Sequence, residues 1–204
     1  MIFNQILSHI FSSKSNVLVF RELLNVSGGL NGREIARRSG LTPKTAHRVL
    51  SLLLDYNLVE RQSGNTEHFY KLNNKNWLVA NIVRPSFEAE NRFLKDVTDF
   101  IVNQTYEYCL QILLFGSVAR KEENLSSDLD VCFIPKDVNL KDKLEDKILD
   151  ITEKIKITYG ANLSPIYLSI KEFEEAKKKV VKNIKKEGIL LYKEKIIGKE
   201  KQQN

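Results

Sequence analysis

The sequence predicts an α+β protein made of two modules that differ in composition. Its 204 residues suit one large domain or two small ones. Residues 1–80 carry 10 Lys/Arg against 5 Asp/Glu, whereas residues 85–169 carry 10 against 15, and residues 170–204 are basic again with 11 against 6. Apolar residues recur at helical spacing in the first region, and strand-like runs alternate with amphipathic helices in the second. We therefore predict a basic domain over 1–80 and a mixed α/β domain over 85–204.

Composition narrows the class of protein. Hydrophobic residues make up 42% of the chain, which is enough for packed cores and argues against wholesale disorder. No apolar run approaches the roughly 20 residues that span a bilayer, and the start "MIFNQILSHIF" lacks a basic leader and a cleavage site. The two cysteines, Cys109 and Cys132, lie in apolar runs without metal-ligand spacing. We expect a cytoplasmic protein with no membrane partner.

Local signals in the first module predict short helices followed by a hairpin. Helical spacing covers residues 2–11 and 16–26, separated by a serine-rich break. Asn31 followed by Glu34 has the form of a capping box, and Thr42-Pro43 is a typical helix start. The next helix should bury an apolar stripe formed by Ala46, Val49, Leu50, Leu53 and Leu54. The runs "LVERQ" and "HFYKL", separated by the turn residues "SGNT", predict a β-hairpin.

This order of elements resembles a winged helix-turn-helix domain over about residues 1–78. The resemblance implies double-stranded DNA as partner, with the second helix of the pair in the major groove and the hairpin on the backbone. The outward residues of that helix would be Lys44, Thr45, His47 and Arg48. It also implies that a homodimer can form through the N-terminal helix. Two alternatives to DNA binding are that these charges form a solvated face and that the module docks another protein.

The second module reads as helix and strand in alternation after a junction between Trp77 and Arg84. An amphipathic helix begins at Ser86, and apolar runs predict strands over 109–115, 129–134, 163–170 and 189–192. Helices should cover 140–160 and 171–188. Pro165 favours an edge position for its strand. The helix that begins at Ser86 should turn six side chains inward, namely Phe87, Phe93, Leu94, Val97, Phe100 and Ile101.

The stretch "LLFGSVARKEENLSSDLDVCFI", residues 113–134, carries the chemistry of the second module. Asp128 and Asp130 project from one face of a strand, while Leu129 and Val131 project from the other. Two carboxylates held together need a cation, and Mg²⁺ binds through carboxylates together with substrate phosphates. Gly116-Ser117 follows the preceding strand, where glycine permits close backbone approach and helix-start amides bind phosphate. The alternative is a local turn that caps the start of a strand.

The pattern G-S-x10-D-x-D between two apolar strands resembles the polymerase-β-type nucleotidyltransferase superfamily, particularly its minimal branch, over residues 86–204. The fold implied is a small nucleotidyltransferase-like α/β sandwich with a mixed sheet. The resemblance implies that Asp128 and Asp130 hold Mg²⁺ (or Mn²⁺) with a nucleoside triphosphate. Gly116 and Ser117 would bind the β- and γ-phosphates, assisted by Ser127 and Arg120. The implied reaction is transfer of a nucleoside monophosphate to a hydroxyl.

One departure from that family concerns a third carboxylate, expected on the next core strand. The corresponding stretch "ANLSPIYLSI" contains no acid, and Asn162 and Ser164 occupy the expected place. Other acidic candidates are Glu122 and Glu123, in a loop, and Asp150, on a helix. Three hypotheses follow: a DNA-binding nucleotidyltransferase, an inactive nucleotide-sensing transcription regulator, and a partner-binding member of a toxin–antitoxin-like pair.

Overall fold

A computed structural model describes residues 4–64 and 67–194. Parts of three predicted regions lie outside these ranges: residues 1–3 of the first helix, Asn65 and Thr66 of the hairpin turn, and residues 195–204 of the second module. The chain divides into two compact units, Met1–Arg92 and Phe93–Asn204. No helix in the described part of the chain is both long and apolar enough to cross a membrane.

The first unit contains short helices and a small antiparallel sheet in the order β1-β3-β2. Its elements are α1 (Ile6–Ile10), α2 (Lys14–Leu24), β1 (Leu30–Asn31), α3 (Gly32–Ser39), α4 (Pro43–Asp55), β2 (Val59–Ser63) and β3 (His68–Leu72). The two predicted hairpin strands are present. The short strand β1 was not predicted, because two residues carry no periodicity, and it forms through pairing with Tyr70 and Phe69.

Side-chain caps set the starts of three helices in the first unit. Ser13 accepts a hydrogen bond from the backbone N–H of Asn16, so α2 begins inside the predicted serine-rich break. Thr42 caps α4 by accepting from the N–H of Thr45, with Pro43 at the first helical position. Asn31 caps α3 as predicted, accepting from Glu34 N at 2.8 Å.

The second half of the predicted capping box is wrong. The Glu34 carboxylate accepts hydrogen bonds from Arg37 and Arg38 at 2.7 Å each, and the Asn31 side chain donates to Glu67. Two guanidinium groups one turn further along the helix outcompete a single backbone N–H for the carboxylate.

A single apolar core holds the first unit together. The predicted stripe of α4 is buried at four positions and half-buried at the fifth, Leu54. It packs with Phe20 and Leu23 of α2, Ile35 of α3 and Leu72 of β3. The core therefore sits on the inner side of α4 and leaves the opposite side of this helix to solvent.

The helix α5 (Arg84–Thr105) follows directly on a π-helical turn, Val79–Val83. The predicted junction before Arg84 is therefore helical. Phe87 is buried in the core of the first unit, while Val97 and Ile101 are buried in the core of the second.

Two of the predicted inward positions of α5 are wrong. The exposed fractions of Phe93 and Leu94 are 51% and 38%. The prediction assumed one apolar stripe facing a single core, whereas the helix contributes residues to two separate cores.

The second unit contains a four-stranded mixed sheet in the order β6-β5-β4-β7. Its elements after α5 are a 3₁₀ turn (Tyr106–Tyr108), β4 (Cys109–Phe115), α6 (Gly116–Arg120), β5 (Leu129–Pro135), α7 (Val138–Tyr159), β6 (Leu163–Tyr167), α8 (Ile170–Glu175), α9 (Lys179–Glu187) and β7 (Ile189–Lys193). β5 and β6 are parallel, and the other pairs are antiparallel. β6, which contains Pro165, is an edge strand as predicted.

Apolar side chains cover both faces of this sheet. Leu129 and Val131 pack in a core with the inner residues of α7, and Cys132 and Ile134 pack in another with α9. We call these the α7-side core and the α9-side core. Cys109 and Cys132 are buried, and desolvation raises the pKa of each thiol to about 12. Both thiols therefore remain protonated and behave as small hydrophobes, as predicted.

The charged C-terminal helix predicted over 171–188 is two helices. α8 ends at Glu175, and Ala176 adopts a left-handed conformation with φ of 46° before α9 begins at Lys179. Ser169 and Glu172 form a full capping box at the start of α8. That local cap ends the predicted strand at Tyr167 instead of Ile170, because Ser169 is committed to starting a helix.

Candidate functional sites

The ends of β4 and β5 bring Gly116 and Asp130 into direct contact. Phe115, the last residue of β4, pairs with Asp130 of β5. Gly116 then adopts φ of +77°, and a Cβ atom built there would overlap the carboxylate of Asp130, lying only 3.0 Å from its Cγ. Only glycine combines this backbone conformation with such a close approach. The Asp130 carboxylate is thus packed against the backbone at which α6 begins.

Alternation along β5 explains where the aspartates point. Leu129 and Val131 are buried in the α7-side core, so Asp130 lies on the α9-side face together with Cys132. Asp130 is half-buried, and Asp128, which precedes the strand, is exposed. The sequence prediction that the apolar neighbours of Asp130 face a core on the opposite side is confirmed.

The register of β6 places Ser164 beside Asp130. The two strands pair in parallel, Leu129 with Leu163 and Asp130 with Ser164. Leu163 packs in the α7-side core with Leu129, so Ser164 shares the face of Asp130. The N–H of Leu129 donates to the carbonyl of Asn162 at 2.8 Å, which brings Asn162 to the level of Asp128.

A third acid does not join these two aspartates in the described part of the chain. Within residues 4–64 and 67–194, no three His, Cys, Asp or Glu side chains form a group that could hold a metal ion. Glu123 is exposed in the loop after α6, and Asp150 is exposed on α7. Two carboxylates still fit Mg²⁺ or Mn²⁺, since such ions bind through one or two carboxylates when phosphates supply further oxygens.

Arg120 lies between two glutamates. Its Nε donates to Glu122 at 2.8 Å, and its Nη1 donates to Glu187, at the end of α9, at 3.4 Å. These hydrogen bonds, mainly the one that Arg120 donates to Glu122, raise the pKa of Arg120. Sequence analysis missed Glu187, because the ion pair joins residues separated by 67 positions and no local pattern marks it.

The two serines named from the sequence differ in their surroundings. Ser127 accepts a hydrogen bond from the N–H of Asn124 at 2.9 Å and returns one from its own N–H to the Asn124 carbonyl at 3.0 Å. Its hydroxyl therefore stabilises the turn that precedes β5. Ser117 is half-buried at the second position of α6, and its carbonyl accepts from the N–H of Glu122 at 2.9 Å.

The solvent side of α4 carries the predicted DNA-binding residues. Lys44, His47 and Arg48 are exposed. Ala46 and Val49 of the same helix are buried, so they fix which side of α4 faces solvent. Within the described ranges, neither Lys44 nor Arg48 has a carboxylate within ion-pair distance. Their charges are therefore available to an anionic partner.

Thr45 differs from its neighbours on α4. It is half-buried, and its hydroxyl lies 2.9 Å from that of Thr42. The two hydroxyls form part of the helix cap, so Thr45 helps to position the first turn of α4 and presents less surface than Lys44 or Arg48.

The basic residues of α3 are held differently from those of α4. Hydrogen bonds from Arg37 and Arg38 lower the pKa of Glu34 to about 2, and the same contact raises the pKa of Arg37. In the hairpin, Arg61 and His68 are both exposed. Arg37 and Arg38 of α3 are thus paired with a carboxylate, whereas Lys44 and Arg48 of α4 are exposed without such a pair in the described ranges.

Two family models match the chain, one in each unit. The model described as "Sugar-specific transcriptional regulator TrmB" matches residues 13–75, which include α2, α3, α4 and the hairpin. The model described as "Polymerase beta, Nucleotidyltransferase" matches residues 99–196, which include Gly116, Asp128 and Asp130. No functionally curated protein sequence matches significantly.

Solved structures show weaker likeness. The predicted DNA-binding transcriptional regulator from E. coli is 23% identical over 41% of this chain and 85% of that one, with a TM-score of 0.35. A toxin–antitoxin structure with AMP-PNP is 14% identical over 48% and 73%, with a TM-score of 0.34. TrmBL2, an archaeal chromatin protein, is 17% identical over 89% and 73%, with a TM-score of 0.29. With such low TM-scores, none of these likenesses assigns a function.

The family models and the fold agree on both units. The first has the helices and hairpin of a winged helix-turn-helix, and the second has the mixed sheet with Gly116 and Asp130 at adjoining strand ends. The chain therefore joins a winged helix-turn-helix region that matches the TrmB-type regulator model to a nucleotidyltransferase-like domain that matches the polymerase beta model.

Proposed function

We propose that this protein is a transcription regulator whose nucleotidyltransferase-like domain binds a nucleoside triphosphate together with Mg²⁺. The observation that carries the proposal is the contact between Gly116 and the carboxylate of Asp130 at the adjoining ends of β4 and β5. A carboxylate pressed against the first residue of a helix keeps metal-binding oxygens and phosphate-binding amides close together.

Asp128 and Asp130 would hold the metal ion in this proposal. When bound, Mg²⁺ supplies positive charge that neutralises the triphosphate oxygens. Gly116 and Ser117 would lie against the phosphates, where the missing Cβ leaves backbone amides accessible. Ser127 would contribute by keeping the turn before β5 in place.

Arg120 would bind phosphate through donors that its two glutamates leave unused, or in exchange for one of them. Its contact with Glu187 is the longer of its two, at 3.4 Å against 2.8 Å for Glu122. About 40% of the Arg120 side chain is exposed, so water screens both pairs and exchange for a phosphate oxygen is inexpensive.

Binding without transfer is the favoured mode. Nucleotide transfer needs a group that removes the proton of the attacking hydroxyl, and a serine at neutral pH cannot serve as that base. Ser164 stands beside Asp130 in register, where the resemblance places a third carboxylate. We therefore infer that the domain senses the nucleotide, and that transfer of a nucleoside monophosphate is the second candidate.

The regulatory role rests on the first unit. Lys44, His47 and Arg48 would contact DNA from the solvent side of α4, and Thr45 would set the first turn of that helix. A regulator of this kind is expected in the cytoplasm. A homodimer formed through α1 remains our expectation, testable by light scattering of the purified chain.

Nucleotide binding is tested by titrating the protein with ATP and GTP, with and without Mg²⁺, by isothermal calorimetry. Asp128→Asn/Asp130→Asn keeps the shape of the side chains but removes their charge. We expect the Mg²⁺-dependent affinity to fall by about tenfold or more, equal to about 1.4 kcal/mol. Asp150→Asn, an exposed change on α7, is the control and should bind like wild type. Equal affinity of wild type and double variant in Mg²⁺ would refute the site.

The sensing and transfer hypotheses are distinguished by introducing an acid at Ser164, the position that pairs with Asp130. Ser164→Asp places a carboxylate next to Asp130, and we expect labelled nucleotide transfer to an acceptor, or to the protein itself, to rise above wild type. Pro165→Ala changes the neighbouring residue of β6 without adding charge and should leave activity at the background level. Efficient transfer by the wild-type protein would show that the unsubstituted site is catalytic and would overturn the sensing hypothesis.

A further inference from the structure

A cleft of about 480 Å³ opens at the carboxyl ends of the parallel strands β5 and β6. It lies between these strand ends and the first turns of α7 and α8, which begin at Val138 and Ile170. The volume falls within the roughly 300–1,000 Å³ typical of small-molecule sites. All of its lining residues belong to the second unit.

This cleft is separate from the proposed nucleotide site. Asp130 stands at the amino end of β5, whereas Pro135, which lines the cleft, ends that strand. At about 3.3 Å per residue, the five residue steps from Asp130 to Pro135 span roughly 16 Å. A ligand in the cleft and a nucleotide at Asp130 can therefore bind at the same time, at opposite ends of the same strand.

Apolar surface dominates the inside of the cleft. The ring of Tyr167, which lines the cleft, stacks on that of Phe133 with centroids 6.0 Å apart, so an aromatic neighbour holds it in place. Val138 is 81% exposed and Ile170 is 36% exposed. When an apolar ligand covers such an exposed aliphatic side chain and displaces water from it, the burial of apolar surface lowers the free energy of the complex.

Each lysine of the cleft lining has a carboxylate partner outside the lining. Lys136 pairs with Glu194 at 2.6 Å, and Lys141 pairs with Glu145 at 3.5 Å. The two carboxylates of the lining are also engaged.

Asp137 accepts from the N–H of Asn139 at 2.9 Å, and Glu172 accepts from the N–H of Ser169 at 2.9 Å. The lining therefore offers no excess of either charge to a ligand. The lining carries two lysines and two acids, so a triphosphate or another multiply charged molecule would meet no net opposite charge there.

Tyr167 adds one polar group to this surface. Burial raises the pKa of its hydroxyl to about 12, so the hydroxyl remains protonated at neutral pH and can donate a hydrogen bond. An aromatic ring that carries a hydroxyl donor can stack on an apolar ring and hydrogen-bond a polar group of the same ligand.

We propose that the cleft between the carboxyl ends of β5 and β6 is a second ligand site, which takes an uncharged, flat, largely aromatic small molecule. The proposal goes beyond the nucleotide site and does not depend on it. The ligand lies against Tyr167, Val138 and Ile170. Because β5 joins this cleft to Asp130, the site is suited to an effector that acts on the nucleotidyltransferase-like domain.

The test uses the full chain and N-phenyl-1-naphthylamine, an uncharged aromatic dye that fluoresces in apolar sites. We expect saturable binding to wild type. Val138→Asp and Ile170→Asp should each weaken it by about tenfold, or 1.4 kcal/mol. Both changes put an acid at the first position of a helix, where it is tolerated, so folding should be kept. Leu149→Asp, on α7 outside the cleft and 75% exposed, is the matched control and should bind like wild type.

Further arms separate this site from the nucleotide site. Asp128→Asn/Asp130→Asn should bind the dye with wild-type affinity, and ATP with Mg²⁺ should not displace it. Absence of saturable binding overturns the proposal, as does equal loss in Leu149→Asp, which would indicate a general apolar surface. Displacement by ATP with Mg²⁺ would place the dye at the nucleotide site and would also overturn it. Circular dichroism of each variant reports folding. If Val138→Asp or Ile170→Asp unfolds, the dye affinity of the other variant tests the proposal.

Discussion

The basic face of α4 and the group of residues at the adjoining ends of β4, β5 and β6 are built in different ways. On α4, Lys44, His47 and Arg48 come from a single helix, and helical spacing alone turns them to the same side. At the sheet edge, Gly116, Asp130 and Ser164 come from three segments that pairing of β4, β5 and β6 brings together. A change on α4 should therefore alter one surface contact, whereas a change at the sheet edge should disturb its neighbours.

The largest effect should follow from Gly116→Ala. Its positive φ costs an alanine about 1–2 kcal/mol, and the new Cβ overlaps the carboxylate of Asp130 as well. Gly160→Ala is the matched control, because φ is +67° there and a Cβ would meet nothing within 4 Å.

Urea unfolding and calorimetry with nucleotide would measure both effects. Both variants should lose stability, but only Gly116→Ala should also lose Mg²⁺-dependent nucleotide binding. DNA binding should survive in both. If Gly116→Ala binds nucleotide as well as Gly160→Ala does, the two ends of β4 and β5 are not coupled as described.

A smaller, strictly local effect is expected on α4. Lys44→Ala/Arg48→Ala should weaken DNA binding similarly across sequences and should reduce the magnitude of the salt slope by about 2, one for each lost phosphate contact. Fluorescence anisotropy at several salt concentrations measures this slope. Arg37→Ala/Arg38→Ala removes the same charge from α3, where Glu34 already pairs with both. We expect a weaker change there, and an equal change would mean that pairing does not withhold these arginines from DNA.

The smallest effect concerns Glu34 itself. Its pKa is lowered to about 2 by the two arginines, so the ion pair stabilises the fold above the ordinary pKa near 4.5 and loses this contribution as pH falls toward 2. Glu34→Gln should lower the melting temperature slightly at pH 7, and the difference from wild type should vanish near pH 2.

Salt should reduce that difference too, because the pair is exposed. Glu88→Gln, an exposed change in the same unit, is the control and should melt like wild type at every pH. A difference between wild type and Glu34→Gln that persists at pH 2 would exclude the ion pair as its cause.

Local sequence was sufficient wherever one element carries the signal. The strand Cys109–Phe115 has the predicted limits, because its run of apolar residues, broken only by Gln111, supplies most of the buried surface at the centre of the sheet. The caps at Asn31 and Thr42 were likewise predictable, since each acts within four residues. The break at Ala176 was not predictable, because the charged helical pattern continues across it and no glycine or proline marks it in the sequence.

The sequence by itself determined the two modules, the basic face of α4, and the alternation along β5 that buries Leu129 and Val131 and turns Asp130 to the other face. These depend on the periodicity of single helices and strands, which short-range sterics and hydrophobic burial impose. Only the tertiary structure decided that Ser164 stands beside Asp130 and that Arg120 meets Glu187. Such neighbours are set by strand order and register, which arise from packing of distant segments and leave no trace in local spacing.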